Sequence, residues 1–115
     1  MGEPEPRVLA DVRALAELDL AGVRWKLAEP GRQLDANVVH LPPHEGVGRH
    51  AEPDLDVLLL VLSGGGEVAG GPVAAGALVW LPRGSSRDLV AGAEGLSYLT
   101  VHGRRPGMSI GIRSG

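Results

Sequence analysis

The chain of 115 residues contains no cysteine and no phenylalanine, and it has only two tryptophans and one tyrosine. The lack of cysteine excludes disulfides, thiolate zinc sites and cysteine nucleophiles. The net charge of −3 is small. Scattered basic residues with few aromatics do not make the basic, stacking surface of a nucleic-acid groove, so we expect no nucleic-acid partner.

Long apolar runs are also missing. The longest, residues 57–62, is far too short to cross a membrane, so we expect no membrane partner. Residues 1–6 are acidic and interrupted by proline, whereas a secretory signal needs positive charge and then an apolar run. We therefore expect a cytoplasmic protein. The abundance of Ala, Gly, Val and Arg with almost no Lys is typical of a bacterial chain from a GC-rich genome.

What the chain does contain is a series of short β-type runs separated by glycine and proline, which is typical of an antiparallel sandwich or barrel. We predict a short helix over 12–18 with Asp11 as its N-cap. The predicted strands are 23–28, 34–41, 55–62, 67–69, 77–81, 87–91 and 96–102, with glycines 64–66 as a hairpin turn. Residues 1–6 are expected to be a disordered lead-in, and residues 7–115 a single domain.

The run 57–62 is apolar on both faces of its predicted strand. Both faces then need a cover, which either a second sheet of the same chain or a second copy would provide. We therefore also expect a homodimer.

Two groups of residues resemble the sequence motifs of the cupin superfamily, in particular small single-domain cupins of the type-2 kind. Gly76, Pro82 and Gly84 match the second motif in type and spacing, and Gly64 closes the first motif. The resemblance covers residues 37–102. It implies an all-β fold, a cupin-like antiparallel β-barrel or double-stranded jelly roll.

The metal-ligand positions of the cupin motifs are mostly substituted. The resemblance implies three imidazoles and one carboxylate, but among these positions only His50 matches. Glu52 stands at the second imidazole position, Val57 at the carboxylate position and Arg87 at the third imidazole position. Valine has no donor atom and arginine is permanently cationic. We therefore expect no metal cofactor.

The resemblance places a candidate ligand pocket inside the barrel, lined by His50, Glu52, Val57, Arg87 and Trp80. Three interpretations of Arg87 stay open: it points to solvent, it forms an internal ion pair with Glu52 or Asp56, or it binds the carboxylate or phosphate of a small ligand. Trp80 has packing in the core as its alternative role.

Three functions are compatible with these residues. The first is a metal-independent barrel that binds a small molecule, anionic if Arg87 holds it, or that acts as a regulator. The second is a dioxygenase or isomerase with Fe, Mn, Ni or Zn on a rearranged ligand set, His44, His50, Asp54 and Asp56. The third is a structural homodimer with a filled barrel. Val57 and the leucine-rich strand favour a binding or structural role over an enzyme.

Overall fold

The computed structural model describes residues 4–105, so positions 1–3 and 106–115 of the predicted lead-in and domain lie outside the described residues. One helix, α1 (Val12–Ala16), precedes seven strands: β1 (Gly22–Lys26), β2 (Leu34–Leu41), β3 (Gly46–Ala51), β4 (Val57–Val68), β5 (Gly71–Ala74), β6 (Leu78–Leu81) and β7 (Ser86–Gly103). Asp11 caps α1 by accepting a hydrogen bond from the backbone N–H of Arg13 at 2.9 Å. No helix within residues 4–105 is long and apolar enough to cross a membrane.

The strands form an antiparallel sheet centred on β4 and β7. The main order is β1-β2-β7-β4-β5, with β3 on β7 and β6 on β4. The C-terminal part of β7 pairs with β2 and its N-terminal part with β3. In the same way, the N-terminal part of β4 pairs with β6 and its C-terminal part with β5. Each long strand therefore contributes to two halves of the sheet.

The glycines of residues 64–66 lie within β4, so the predicted hairpin turn there is wrong. The β4–β7 register shifts between Val61 and Ser63 and again between Gly64 and Gly66, which marks bulges in the two strands. A Cβ on Gly66 would collide with the backbone carbonyl oxygen of Val90. These glycines let the two central strands pass closely, and the two predicted runs 55–62 and 67–69 are accordingly parts of one strand.

The same correction applies to β7, where predicted runs 87–91 and 96–102 join across the glycines at 92 and 95. Two strands, β3 and β5, were not predicted, because their glycine and proline content hides any alternation. The predicted helix ends earlier than expected, at Ala16. Class and antiparallel pairing are nevertheless as predicted.

The core lies between the two halves of the sheet. Along β4 the buried residues are Val57, Leu59 and Val61, which alternate with outward-facing leucines as strand geometry requires. The remaining buried residues of this cluster come from β4 to β7: Val68, Leu81, Leu89, Ala91, Leu96 and Tyr98. At one end this core opens into a cavity.

Candidate functional site

The cavity has a volume of about 250 Å³. Its walls come from β3, β4, β6 and β7, and from the loop between β3 and β4. The lining residues are Val47, His50, Ala51, Glu52, Leu55, Val57, Leu59, Leu81, Arg87, Leu89, Tyr98, Thr100, His102 and Arg105. The interior of the barrel therefore keeps an open space at this end.

Arg87 is the buried charge in this cavity. It lies on β7 opposite His50 of β3, and only 4% of its surface is exposed. Both hydrogen bonds of its guanidinium start from Nη2, which donates to the carbonyl oxygen of Pro82 at 3.2 Å and to Oγ of Ser85 at 3.1 Å. Its Nε is buried and has no hydrogen-bond partner among residues 4–105. A buried donor without a partner is costly, so this nitrogen marks a place where an acceptor is missing.

The turn after β6 sets the position of Arg87. Gly84 has φ 81°, which a glycine adopts without strain, and its N–H donates to the carbonyl oxygen of Glu52 at 2.7 Å. Pro82 offers its carbonyl oxygen to the N–H of Ser85 at 3.0 Å and to the Ser85 hydroxyl at 2.6 Å. The Pro-x-Gly motif thus builds a rigid turn whose carbonyl and hydroxyl oxygens receive the guanidinium.

Two of the three interpretations of Arg87 disagree with this geometry. A side chain with 4% exposure does not point freely to solvent. Nor does it form the internal ion pair, because Glu52 is paired with Arg105 and Asp56 accepts a hydrogen bond from the backbone N–H of Arg83 at 2.8 Å. Among residues 4–105 no carboxylate lies within ion-pair distance of Arg87. The acceptors that hold its guanidinium are the carbonyl oxygen of Pro82 and Oγ of Ser85.

Glu52 and Arg105 form an ion pair at the mouth of the cavity. The hydrogen bond from Arg105 lowers the pKa of Glu52, and a second one from the backbone N–H of Asp54, 2.8 Å long, adds to this effect. Glu52 is therefore ionised near neutral pH, and its charge is balanced by Arg105. This pair links the loop before β4 to the residues that directly follow β7.

Tyr98, Thr100 and His102 on the C-terminal part of β7 also line the cavity. The sequence pointed to His102 as a possible donor without deciding which face of its strand it occupies, and it did not point to Tyr98 or Thr100. Side chains at every second position of a strand share a face. The knowledge that one of these three residues points inward would therefore have identified the other two. Burial raises the pKa of Tyr98, so its phenol stays neutral and can donate a hydrogen bond. His102 donates from Nδ1 to the carbonyl oxygen of Gly103 at 2.8 Å, because a carbonyl oxygen only accepts.

His50 lies at the rim. It is exposed, and its Nδ1 lies 2.8 Å from the carbonyl oxygen of Gly48. Because a carbonyl only accepts, Nδ1 carries the hydrogen of this bond. Val57, at the position of the family's carboxylate ligand, is buried in the wall opposite His102.

These residues do not fit a metal ion. At two positions where a metal ion would need donor atoms, the wall has the apolar side chain of Val57 and the cationic side chain of Arg87. The rearranged set is not assembled either: His44, Asp54 and Asp56 are exposed loop residues. Within residues 4–105 no three histidine or acidic side chains lie close enough together to hold a metal ion. We derive no chemical step through a metal.

Trp80 does not line the cavity, and it is not part of the core. Its side chain is on the outer face of β6, and the residue is 57% exposed. β4 pairs with β6, and Leu59 and Leu81 point inward. Because side chains alternate between the two faces of a strand, Trp80, which lies between Val79 and Leu81, must point outward. A register argument of this kind was available only once the pairing was known.

The features described above, two sheet halves formed by shared long strands around a cavity, define an antiparallel double-stranded β-helix. Solved structures with this architecture are similar to the chain over most of its length. A protein from Bacillus halodurans gives a TM-score of 0.75 at 17% identity, covering 90% of this chain and 85% of that chain.

Two further similar structures carry descriptions of the fold. A cupin protein from Bacteroides fragilis gives a TM-score of 0.66 at 16% identity, covering 94% of this chain and 90% of that chain. A protein with a double-stranded β-helix domain from Klebsiella pneumoniae gives 0.67 at 18% identity, covering 86% of this chain and 90% of that chain. No protein-family model matches the sequence, and no curated protein matches it either. The chain has the cupin fold, as its motifs predicted.

Proposed function

We propose that this protein is a metal-independent cupin barrel that binds a small organic molecule in the cavity around Arg87. The observation that carries the proposal is the buried guanidinium whose Nε has no partner among residues 4–105. If Arg87 served only the stability of the fold, a carboxylate partner would be expected beside it. The two candidates, Glu52 and Asp56, have other partners.

The remainder of the lining supports a binding role. Cavity walls of mostly apolar side chains with a few placed polar groups are typical of small-molecule sites. The apolar part comes from Val57, Leu59, Leu81 and Leu89, while Arg87 supplies the charge. The volume of about 250 Å³ lies just below the range of drug-sized pockets, about 300–1,000 Å³, so the ligand is small.

A thermal-shift screen of a metabolite panel tests the proposal. A ligand that binds only the folded state stabilises it by RT ln(1 + [L]/Kd), about 2.7 kcal/mol when its concentration is one hundred times Kd. We expect at least one compound to raise Tm, and we expect the effect to disappear in Arg87→Met but to persist in Arg83→Met. Arg83 is a matched control because it is an exposed arginine on the same turn.

The absence of a resident metal is tested separately, by elemental mass spectrometry of untagged protein after incubation with Fe, Mn, Ni or Zn. We expect well below one metal ion per chain. Stoichiometric metal that is lost in His50→Ala would contradict the proposal and favour the enzyme alternative.

A second copy of the chain is the partner that we propose for the outer face of β4 and β6. Leu58, Leu78 and Trp80 are 42%, 67% and 57% exposed, and Leu58 pairs directly with Trp80 across the two strands. An apolar row of this kind favours a protein contact over solvent. A homodimer with this interface leaves the cavity, which faces the other side of β4, free for its ligand.

A further inference from the structure

The cavity holds one unbalanced charge. Arg87 is its unpaired cation, and the other charged pair in its lining, Glu52 with Arg105, is neutral as a unit. His50 and His102 each donate from Nδ1 to a carbonyl oxygen. With Arg87 as the cation that has no acidic partner among residues 4–105, the site suits a ligand that carries one negative charge.

The donors in the cavity are few and suit a carboxylate better than a phosphate ester. Arg87 Nε has no hydrogen-bond partner among residues 4–105, and the neutral phenol of Tyr98 and the hydroxyl of Thr100 are further donors in the wall, beside Arg105, which is paired with Glu52. A phosphate monoester brings nearly two charges and three strong acceptor oxygens. Here it would meet Arg87 as the one lining arginine without an acidic partner among residues 4–105, since Arg105 is paired with Glu52, and its second charge would be left without a partner.

The size and polarity of the walls define the other end of the ligand. A cavity of about 250 Å³ is small for a ligand site, so it suits a compact molecule. Beyond the carboxylate, the ligand would contact an apolar wall of Val57, Leu59, Leu81 and Leu89, which favours a short alkyl chain or a single ring.

From these observations we infer that the cavity binds a compact monocarboxylic acid, with its carboxylate on Arg87 and its apolar body against β4 and β6. The inference rests on the function proposed above and specifies its ligand class. Binding would give the buried guanidinium of Arg87, which lines the cavity, a carboxylate partner, and would convert a costly buried cation into a charge-assisted hydrogen-bonded pair.

The test compares matched acids and amides by calorimetry on the unmodified full chain. Hexanoate and benzoate are the carboxylate probes, hexanamide and benzamide are their neutral isosteres, and phenyl phosphate is the more highly charged analogue. Hydrogen bonds to a charged group are strong enough for us to expect each acid to bind at least tenfold more tightly than its amide and than phenyl phosphate. This comparison needs no variant, so it does not depend on whether Arg87 can be replaced.

Two measurements assign the difference to Arg87. In Arg87→Met the preference for acid over amide should vanish, while Arg83→Met should keep it. In ¹⁵N spectra of the unmodified protein, the Arg87 Nε–H signal should shift on addition of benzoate and stay in place with benzamide, because only the carboxylate forms a charge-assisted hydrogen bond.

The outcomes separate this inference from the proposed function. Amides or phenyl phosphate that bind as tightly as the acids would overturn the monocarboxylate assignment and leave a binding barrel in place. The monocarboxylate assignment is also overturned if no acid binds at 10 mM, which corresponds to a binding free energy of about 2.7 kcal/mol, while another compound of the metabolite panel does bind. If neither these probes nor the panel bind, the proposed function itself fails.

Discussion

Replacing Arg87 by methionine should stabilise the protein without ligand. The substitution removes a buried guanidinium that has no carboxylate partner and whose Nε lacks any acceptor among residues 4–105. An unsatisfied buried donor costs about 1–3 kcal/mol, and the desolvation of a buried ion adds to this. Methionine is unbranched and flexible, so it fills the same space with apolar contacts.

The loss on the other side is small. Arg87 donates two long hydrogen bonds, 3.2 Å to Pro82 and 3.1 Å to Ser85. Both acceptors keep other partners, because the Ser85 hydroxyl still donates to the Pro82 carbonyl oxygen. We therefore expect Arg87→Met to raise the free energy of unfolding by about 1–2 kcal/mol, which is about 4–8 °C in Tm for a domain near 100 residues.

Urea denaturation followed by tryptophan fluorescence measures this effect, with the midpoint rising at constant m. The exposed control Arg83→Met should stay within about 0.5 kcal/mol of the parent. If Arg87→Met loses more than about 1 kcal/mol while the control is unchanged, the guanidinium is a structural brace of the turn. The reasoning that treats it as an unsatisfied ligand-binding group would then be refuted.

Three further predictions concern other parts of the molecule. Burial, together with nearby Arg24, lowers the pKa of His40 in the folded state. The unfolded chain therefore binds more protons, and the free energy of unfolding should fall as pH drops below about 6.5. Urea titrations at pH 5 to 8 should show this dependence, and His40→Asn should flatten it. Gly66→Ala should cost about 1–3 kcal/mol in the same assay, because its Cβ would collide with a carbonyl oxygen of β7, whereas Gly48→Ala, with open space around it, should be nearly neutral. Leu58→Asp should convert a dimer to monomer in light scattering without changing ligand affinity, and a dimer that survives would place the interface elsewhere.

The sequence predicted the fold through features that act locally. Gly76, Pro82 and Gly84 take positive φ or fixed φ wherever they lie in a β-protein, so their spacing could be interpreted without knowing the pairing. The glycines at 64–66 misled the prediction because they serve a close approach of β4 to β7, a contact between residues far apart in sequence. In this chain glycine occurs both in local turns and at close contacts between distant strands.

The candidate site was predictable in part for a related reason. Motif spacing brought His50, Glu52, Val57 and Arg87 to the cavity, and the structure places all four in its lining. Trp80 was misplaced because a shift of one residue moves a strand side chain to the opposite face. The burial of Arg87 and the engagement of Glu52 by Arg105 depend on side-chain positions that no spacing rule contains.

The turn from Pro82 to Ser85 has a consequence for engineering. Its hydrogen bonds run between backbone groups and the Ser85 hydroxyl, so they fix where the side chain at position 87 begins without depending on which residue stands there. The position of residue 87 is therefore set independently of the chemistry of its side chain. Arg87→His together with Val57→Glu would exchange a cation and an apolar group for an imidazole and a carboxylate on the same two strands, alongside His50. The barrel proposed here to bind a small anion and a transition-metal centre would then differ by two side chains on one unchanged turn.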